Sequence, residues 1–247
     1  MFNKELGAYV AVISHNRPDN VPVMQEKLGP CTWHVHAGDD GAYRKAGATR
    51  TIAIAENLVE NRNSALDEAF QRGKICVQLD DDLIKIERCT VKGGKVHTLP
   101  VDFMSSAAYM LRCLERTSFK LAGVAPVCNA FYFSPDKPFS YANFIPSKMI
   151  VVMPTDLRFD SSYWVKEDYD YTAQHVTKYG GVCRVNALMP VFGQYRNKGG
   201  CVDYRTPEVE AAAVNKLMQK WPGYFRLNPK RENEVIMKVP AELRRFK

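Results

Sequence analysis

The side chains with the most chemistry in them are three adjacent carboxylates, in the run Leu79-Asp80-Asp81-Asp82-Leu83. They close an apolar stretch, Ile75-Cys76-Val77-Gln78-Leu79, that reads as a buried strand. Three neighbouring carboxylates repel one another and are costly to hold together without a cation. In an extended chain Asp80 and Asp82 point to the same side, because strand side chains alternate with a period of two. Two carboxylates on one side suit a hard divalent ion, Mn²⁺ or Mg²⁺, and such an ion neutralises charge on a departing diphosphate. The competing reading is a solvated loop whose acids cap a following turn.

A second acidic constellation, Lys166-Glu167-Asp168-Tyr169-Asp170-Tyr171, lies where a helix is predicted to begin. Glu167 or Asp168 there suits a base that takes the proton of an acceptor hydroxyl. Compensation of the helix dipole accounts for acids at this position equally well. Two further polar clusters follow apolar strands: Ser14-His15-Asn16-Arg17 and Asp39-Asp40. Late in the chain, Gln194-Tyr195-Arg196-Asn197-Lys198-Gly199-Gly200 sets two cations beside two glycines. That composition lets a loop approach phosphates closely, and it is also that of an ordinary solvated turn.

The elements that must position these groups follow from periodicity. Strands are predicted at Tyr9–Ile13, Thr32–His36 and Ile75–Leu79. A helix is predicted from the Asn57/Glu60 cap to Gly73, with Ala65, Leu66, Ala69 and Phe70 at helical spacing. This alternation argues for an α/β fold with a mostly parallel central sheet flanked by helices. Ligands of such sheets bind outside the carboxyl ends of the strands, so the three polar clusters share one edge. Further on, a hairpin turns at Gly93-Gly94, and a helix spans Asp102–Arg116. Strands are expected at Leu121–Val127, Ala130–Phe133, Met149–Met153 and Val182–Leu188, and Thr206-Pro207-Glu208 caps a last long helix. Trp33, Trp164 and Trp221 read as core, and His34 and His36 as core or edge packing. Tyr132, Phe133, Phe139 and Tyr141 read as packing or as a platform for a flipped base. Neither a repeat nor a linker divides the 247 residues, which points to one domain.

Lys and Arg number 34 against 27 Asp and Glu, a net charge of +7. The excess is concentrated at the end: residues 220–247 hold eight cations and three acids. This excludes an acidic solvating tail and admits a polyanionic partner. No apolar run is long enough to span a membrane, and the N-terminus lacks the apolar core of a signal peptide. The seven cysteines show no C-x-x-C spacing, so they read as reduced, mostly buried thiols of a cytoplasmic protein, the host cytoplasm if the chain is phage-encoded.

Three segments, YVAVISHNRPDN, ENRNSALDEAFQRGKICVQLDDDL and WVKEDYDYTAQH, resemble a GT-A-type, metal-dependent glycosyltransferase. More narrowly they are similar to phage TET-associated glycosyltransferases that modify 5-hydroxymethylpyrimidines in DNA. The resemblance implies a single GT-A-like domain over 1–247, with a Rossmann-like nucleotide-sugar-binding half at 1–100. The acceptor-binding half, 101–247, would carry the basic C-terminal segment. By the same resemblance Asp80 and Asp82 hold Mn²⁺ or Mg²⁺ with the donor diphosphate, Asp81 lies between them, and Ser14, His15, Asn16 and Arg17 contact the nucleobase. Arg62 and Asn63 would offer polar groups to the nucleotide or sugar. Arg196, Lys198, Gly199 and Gly200 would close over the diphosphate or grip DNA. Glu167 and Asp168 would supply the acceptor-side base, and a third metal ligand would come from His175 or Asp203. The implied donor is a UDP-sugar, UDP-glucose or a UDP-pentose. The implied acceptor is double-stranded DNA containing 5-hydroxymethylpyrimidine, with no membrane involved. Two other readings share the same acids: a GT-A enzyme with a glycan or protein acceptor, and a Mg-dependent nuclease or phosphohydrolase. A binding module without catalysis would have no need of the carboxylate triplet.

Overall fold

A computed structural model describes residues 7–193 and 205–243. In chain order the strands are β1 (Ala8–Ile13), β2 (Thr32–His36), β3 (Thr51–Ala55), β4 (Ile75–Asp80), β5 (Leu83–Lys92), β6 (Lys95–Pro100), β7 (Leu121–Val124), β8 (Phe139–Ser140), β9 (Met149–Val152), β10 (Cys183–Val185), β11 (Leu188–Phe192), β12 (Phe225–Leu227) and β13 (Val235–Met237). The helices are α1 (Val21–Leu28), α2 (Asp40–Lys45), α3 (Leu58–Gln71), α4 (Phe103–Glu115), α5 (Glu167–Tyr179) and α6 (Pro207–Lys220).

Eight strands form one sheet in the order β3-β2-β1-β4-β9-β7-β10-β8. The first four are parallel to their neighbours. β9 runs antiparallel between β4 and β7, β10 is parallel to β7, and β8 is antiparallel at the far edge. The sheet is thus mixed, with its parallel half where the sequence alternates strand and helix. Strand order reverses at the β1–β4 pair, and in open α/β sheets ligands bind outside the carboxyl ends of strands at such a switch point. β1 ends beside Ser14, and its register pairs Ile13 with Asp80. The loop after β1 and the carboxylates after β4 therefore emerge side by side.

β1 is buried along its whole length, and alternation sends its side chains into two cores. Val10 and Val12 pack with Met24 and Leu28 of α1, Trp33, Tyr43, and Met110 and Leu114 of α4. Tyr9, Ala11 and Ile13 pack with Ala65, Leu66 and Ala69 of α3, Tyr171 and Val176 of α5, and Leu217 of α6. α3 is capped by the Asn57 side chain, which accepts from Glu60 N, while Glu60 reaches back to Glu56 N. α6 is capped by Thr206 with Pro207 at its first position. A three-stranded antiparallel sheet, β11-β5-β6, and the β12–β13 hairpin complete the fold.

Several expectations are corrected. The region Ala130–Tyr132 is a 3₁₀ turn rather than a strand, because the Asn129 side chain captures Phe131 N and turns the chain. Residues 182–188 split: β10 lies in the large sheet, and Leu188 opens β11 in the small one. α1, α2 and β3 add to the strand-loop-strand-helix-strand reading of the first 82 residues. Trp164 is exposed, so only Trp33 of the three tryptophans is fully buried. Cys113 of α4 and Cys183 of β10 form a disulfide, whereas all cysteines were expected to be reduced.

A Cβ added at Gly181 would collide with the Phe119 ring and lie 2.8 Å from the Tyr141 carbonyl. Gly181→Ala is expected to cost about 1–3 kcal/mol by overpacking, measured by denaturant unfolding. A wild-type midpoint would show that this contact relaxes freely.

Candidate active site

β4 carries its chain to Asp80, and Asp81 and Asp82 then form the tight turn into β5. The turn changes the period-two expectation, because Asp81 and Asp82 are no longer in extended backbone. Asp81 is swung inward and buried, where it accepts from Ser14 Oγ and from Arg17 Nη1 at 3.0 Å. Burial raises its pKa, and the Ser14 and Arg17 contacts oppose that rise. Asp81 thus serves the loop after β1 rather than facing open space. Asp80 keeps about 30% of its side chain exposed. Asp82 lies 3.8 Å from Arg17 Nη1, and its pKa is pushed up to about 6 by burial and by the charges of Asp80 and Asp81. Asp80 and Asp82 are oxygen donors whose negative charges Arg62 and Arg17 offset only in part. The pair fits a hard divalent cation in its chemistry.

The loop after β1 is held from both ends. Tyr43 OH is bonded to Ser14 Oγ and accepts from Arg17 N (3.0 Å). Asp39 accepts from Asn16 N (2.8 Å) and pairs with His15 Nδ1 (3.1 Å). Asn16 sits in the left-handed region (φ 55°), a conformation asparagine tolerates better than most residues.

The second acidic constellation begins α5 as the sequence indicates. Lys166, at the helix cap, is left-handed (φ 63°) and buried, with its ammonium between Glu210 of α6 and Glu234 beside β13. A lysine in that conformation is uncommon, and its two carboxylate partners hold it there. Glu167 is buried, and its pKa is raised by that burial against the opposing charge of Arg62. Asp168 is half-buried on a cleft of about 310 Å³, and burial followed by the Glu167 charge pushes its pKa up to about 8. The same cleft is lined by Asp80, Arg62, Lys148, Trp164 and Arg205. The two acidic constellations, far apart in sequence, thus meet at one cavity.

Arg62 brings them together. Its guanidinium donates to Asp80 Oδ1 (3.0 Å) and to the Ser147 carbonyl (3.0 Å), and it lies 3.5 Å from Glu167 Oε1. The α3 backbone behind it is fixed by Gln78 Nε2 donating to the Arg62 carbonyl. Asn63 does not face the cleft carboxylates. Its amide is clamped in both directions to the Phe159 backbone, at 2.9 Å each way. His175 lies in the core between Tyr171 and Tyr179, with a pKa pushed down to about 3 by burial, so it is not placed as a third ligand. Arg196, Lys198, Gly199, Gly200 and Asp203 lie outside the described residues. Lys166 was missed by sequence reasoning, and Asp39 was given no role there. Asp39 was visible only as a strand-end acid, and Lys166 carried no signal beyond its place before Glu167.

Removing a guanidinium from buried acids leaves charge without its partner, which costs about 3–5 kcal/mol. Arg62→Ala is therefore expected to unfold at a markedly lower denaturant concentration than wild type. Arg62→Lys should recover only part of the loss, because an ammonium cannot fork between partners. An unchanged midpoint for Arg62→Ala would contradict this arrangement.

No protein-family model and no curated protein sequence matches the chain. Among solved structures it is similar to a mannosyltransferase from Pyrobaculum calidifontis in complex with GDP-Man and Mn²⁺, at 12% identity and a TM-score of 0.50. That match covers 86% of this chain and 63% of the mannosyltransferase, so the chain spans less than two thirds of the other's length. Weaker likenesses, below the level at which a shared fold can be argued, are to TarS of S. aureus and to A197 from STIV. The first has 10% identity, 85% and 65% coverage and a TM-score of 0.45; the second has 9% identity, 95% coverage of each chain and a TM-score of 0.40. The large mixed sheet with flanking helices, its parallel half leading, is an α/β architecture that the chain shares with that mannosyltransferase.

Proposed function

We propose that the chain transfers a sugar from a nucleotide-sugar to a hydroxyl, at the cleft between the β4 turn and the start of α5. The observation that carries this is the meeting of Asp80 with Glu167 and Asp168 around Arg62, at the switch point of the sheet. The mannosyltransferase with a similar fold binds GDP-Man and Mn²⁺, which supports a nucleotide-sugar donor and a divalent ion here.

In this reading Asp80 and Asp82 hold Mn²⁺ or Mg²⁺, which supplies charge neutralisation to a diphosphate leaving group. Asn16 and Arg17 line the nucleoside end, with Arg17 held ready on Asp81; Ser14 is buried behind them on Asp81 and Tyr43, and the His15 ring is turned to Asp39 and His36. Arg62 keeps Asp80 and Glu167 oriented rather than contacting the nucleotide. Asp168 takes the proton of the acceptor hydroxyl. A base is most effective when its pKa lies near working pH, and burial beside Glu167 moves Asp168 toward that range.

The acceptor in this proposal is a 5-hydroxymethylpyrimidine in double-stranded DNA, and the donor is a UDP-sugar. Exposed aromatics suited to stacking on a base are present: Trp164 at the cleft, and Phe131 and Tyr132 on the turn after β7. Exposed Arg226, Lys230, Arg231 and Lys238 lie on or beside the β12–β13 hairpin, whose Glu234 lines the cleft. Lys220, by contrast, is tied to Asp160 and Asp170 and leaves the basic set.

Mass spectrometry of hydroxymethylated DNA, after incubation with Mn²⁺ and a panel of sugar nucleotides, is expected to show addition of one sugar mass per modified base. Transfer only to a glycan would retain the donor reading and overturn the DNA acceptor. DNA cleavage with metal alone would favour a nuclease. Asp82→Ala should abolish transfer, and full activity in that variant would remove the metal assignment.

Asp168 as a base must be ionised, so kcat/KM is expected to rise with pH through a limb above the ordinary carboxylate range. Asp168→Asn should lower the rate about 10²–10⁴-fold and flatten that limb. A limb in the ordinary carboxylate range would place the base elsewhere.

A further inference from the structure

His15, His36 and Asp39 form a second cluster, at the ends of β1 and β2 and separate from the Asp80–Asp82 turn. β1 and β2 are parallel neighbours whose register pairs Ile13 with His34. Two residues further on in each strand direction come His15 and His36, and their rings lie 5.1 Å apart. The turn Ala37–Asp39 then brings the Asp39 carboxylate back to the same place. One ligand atom from each residue lies within 4.8 Å of the other two. All three side chains are partly open to solvent.

We infer that this triad is a binding site for a divalent transition ion, Zn²⁺ by preference. Two imidazoles and one carboxylate on one side of an ion, with positions open to solvent, are a donor set that first-row transition metals accept. Mg²⁺ and Ca²⁺ prefer oxygen ligands, so this site differs in selectivity from the Asp80/Asp82 pair. The carboxylate is already oriented by the Asn16 amide at 2.8 Å, in the way that ligands are commonly fixed from behind. His36 would exchange a long 3.2 Å bond from Gly38 N for the ion. The ion would staple the loop after β1 to the end of β2. That loop carries Arg17, whose guanidinium rests on Asp81 and Asp82, so the staple would stiffen the segment that holds the β4 turn. The inference does not rest on the glycosyltransferase reading, since ion binding is measured without donor or acceptor.

The test is Co²⁺ titration of tag-free protein, followed by visible absorption, in wild type, in an Asp80→Asn/Asp82→Asn double variant, and in His36→Ala and Asp39→Asn. Wild type and the Asp80/Asp82 double variant are expected to give the same saturable band at one equivalent. Zn²⁺ should displace it and excess Mg²⁺ should not. His36→Ala and Asp39→Asn should weaken binding by roughly tenfold or more while keeping the metal-free circular dichroism spectrum and melting temperature. If a variant fails to fold, the remaining one of the two carries the comparison, with Zn²⁺-dependent thermal stabilisation of wild type as a second readout. No band in wild type, a band lost in the Asp80/Asp82 variant, or a band unchanged in both His36→Ala and Asp39→Asn would each overturn the site.

Discussion

One guanidinium, that of Arg62, is shared between the end of β4, the start of α5 and the loop before β9. Its position is set from behind by α3, which packs Ala65, Leu66 and Ala69 against β1 and β4. The carboxylates it holds come from segments more than eighty residues apart in the chain. Remove the cation, and Asp80 and Glu167 face each other across the cleft without the guanidinium that bridges them, so their repulsion is less offset. The arrangement of the cleft depends on this contact more than on any other single interaction.

Charge at the site is deliberately unbalanced. Asp80, Asp81, Asp82, Glu167 and Asp168 converge on a region where Arg17 and Arg62 pair with Asp80, Asp81, Asp82 and Glu167. The consequence is visible in the carboxyl groups whose nearby cations offset burial and neighbouring negative charge only in part. Asp82 is pushed up to about 6 and Asp168 to about 8. Acids in this state are receptive to a divalent ion in one case and to a proton in the other. Both flanking segments also contain a non-glycine residue in the left-handed region, Asn16 and Lys166. Such backbone persists where surrounding contacts over-determine it, and it is found at functional sites more than elsewhere.

Much of this was legible in the residues. β-branched runs ending in polar clusters located β1, β2 and β4, and the Asn57/Glu60 and Thr206-Pro207 caps located α3 and α6. The two acidic constellations were visible because carboxylates at a strand end and at a helix start are chemically conspicuous. What they do to each other was not. Arg62 was implied as a nucleotide contact by resemblance, and only the tertiary fold shows its fork closed on Asp80 and Ser147. Asp81 read as a member of the donor site, yet the turn at 81–82 rotates it inward to Ser14. Asn63 looked available, but its amide is taken by a backbone 96 residues away. The antiparallel insertion of β9 also had no local signal, since Met149–Val152 is apolar on both faces whichever way it runs.

The most direct test of the site is calorimetric titration of UDP and GDP into the full chain, with and without Mn²⁺. Binding of at least one nucleotide only when Mn²⁺ is present, and its loss in Asp80→Asn, is the expected result. Equal binding in the absence of the ion, or unchanged binding in Asp80→Asn, would contradict a diphosphate site at the end of β4.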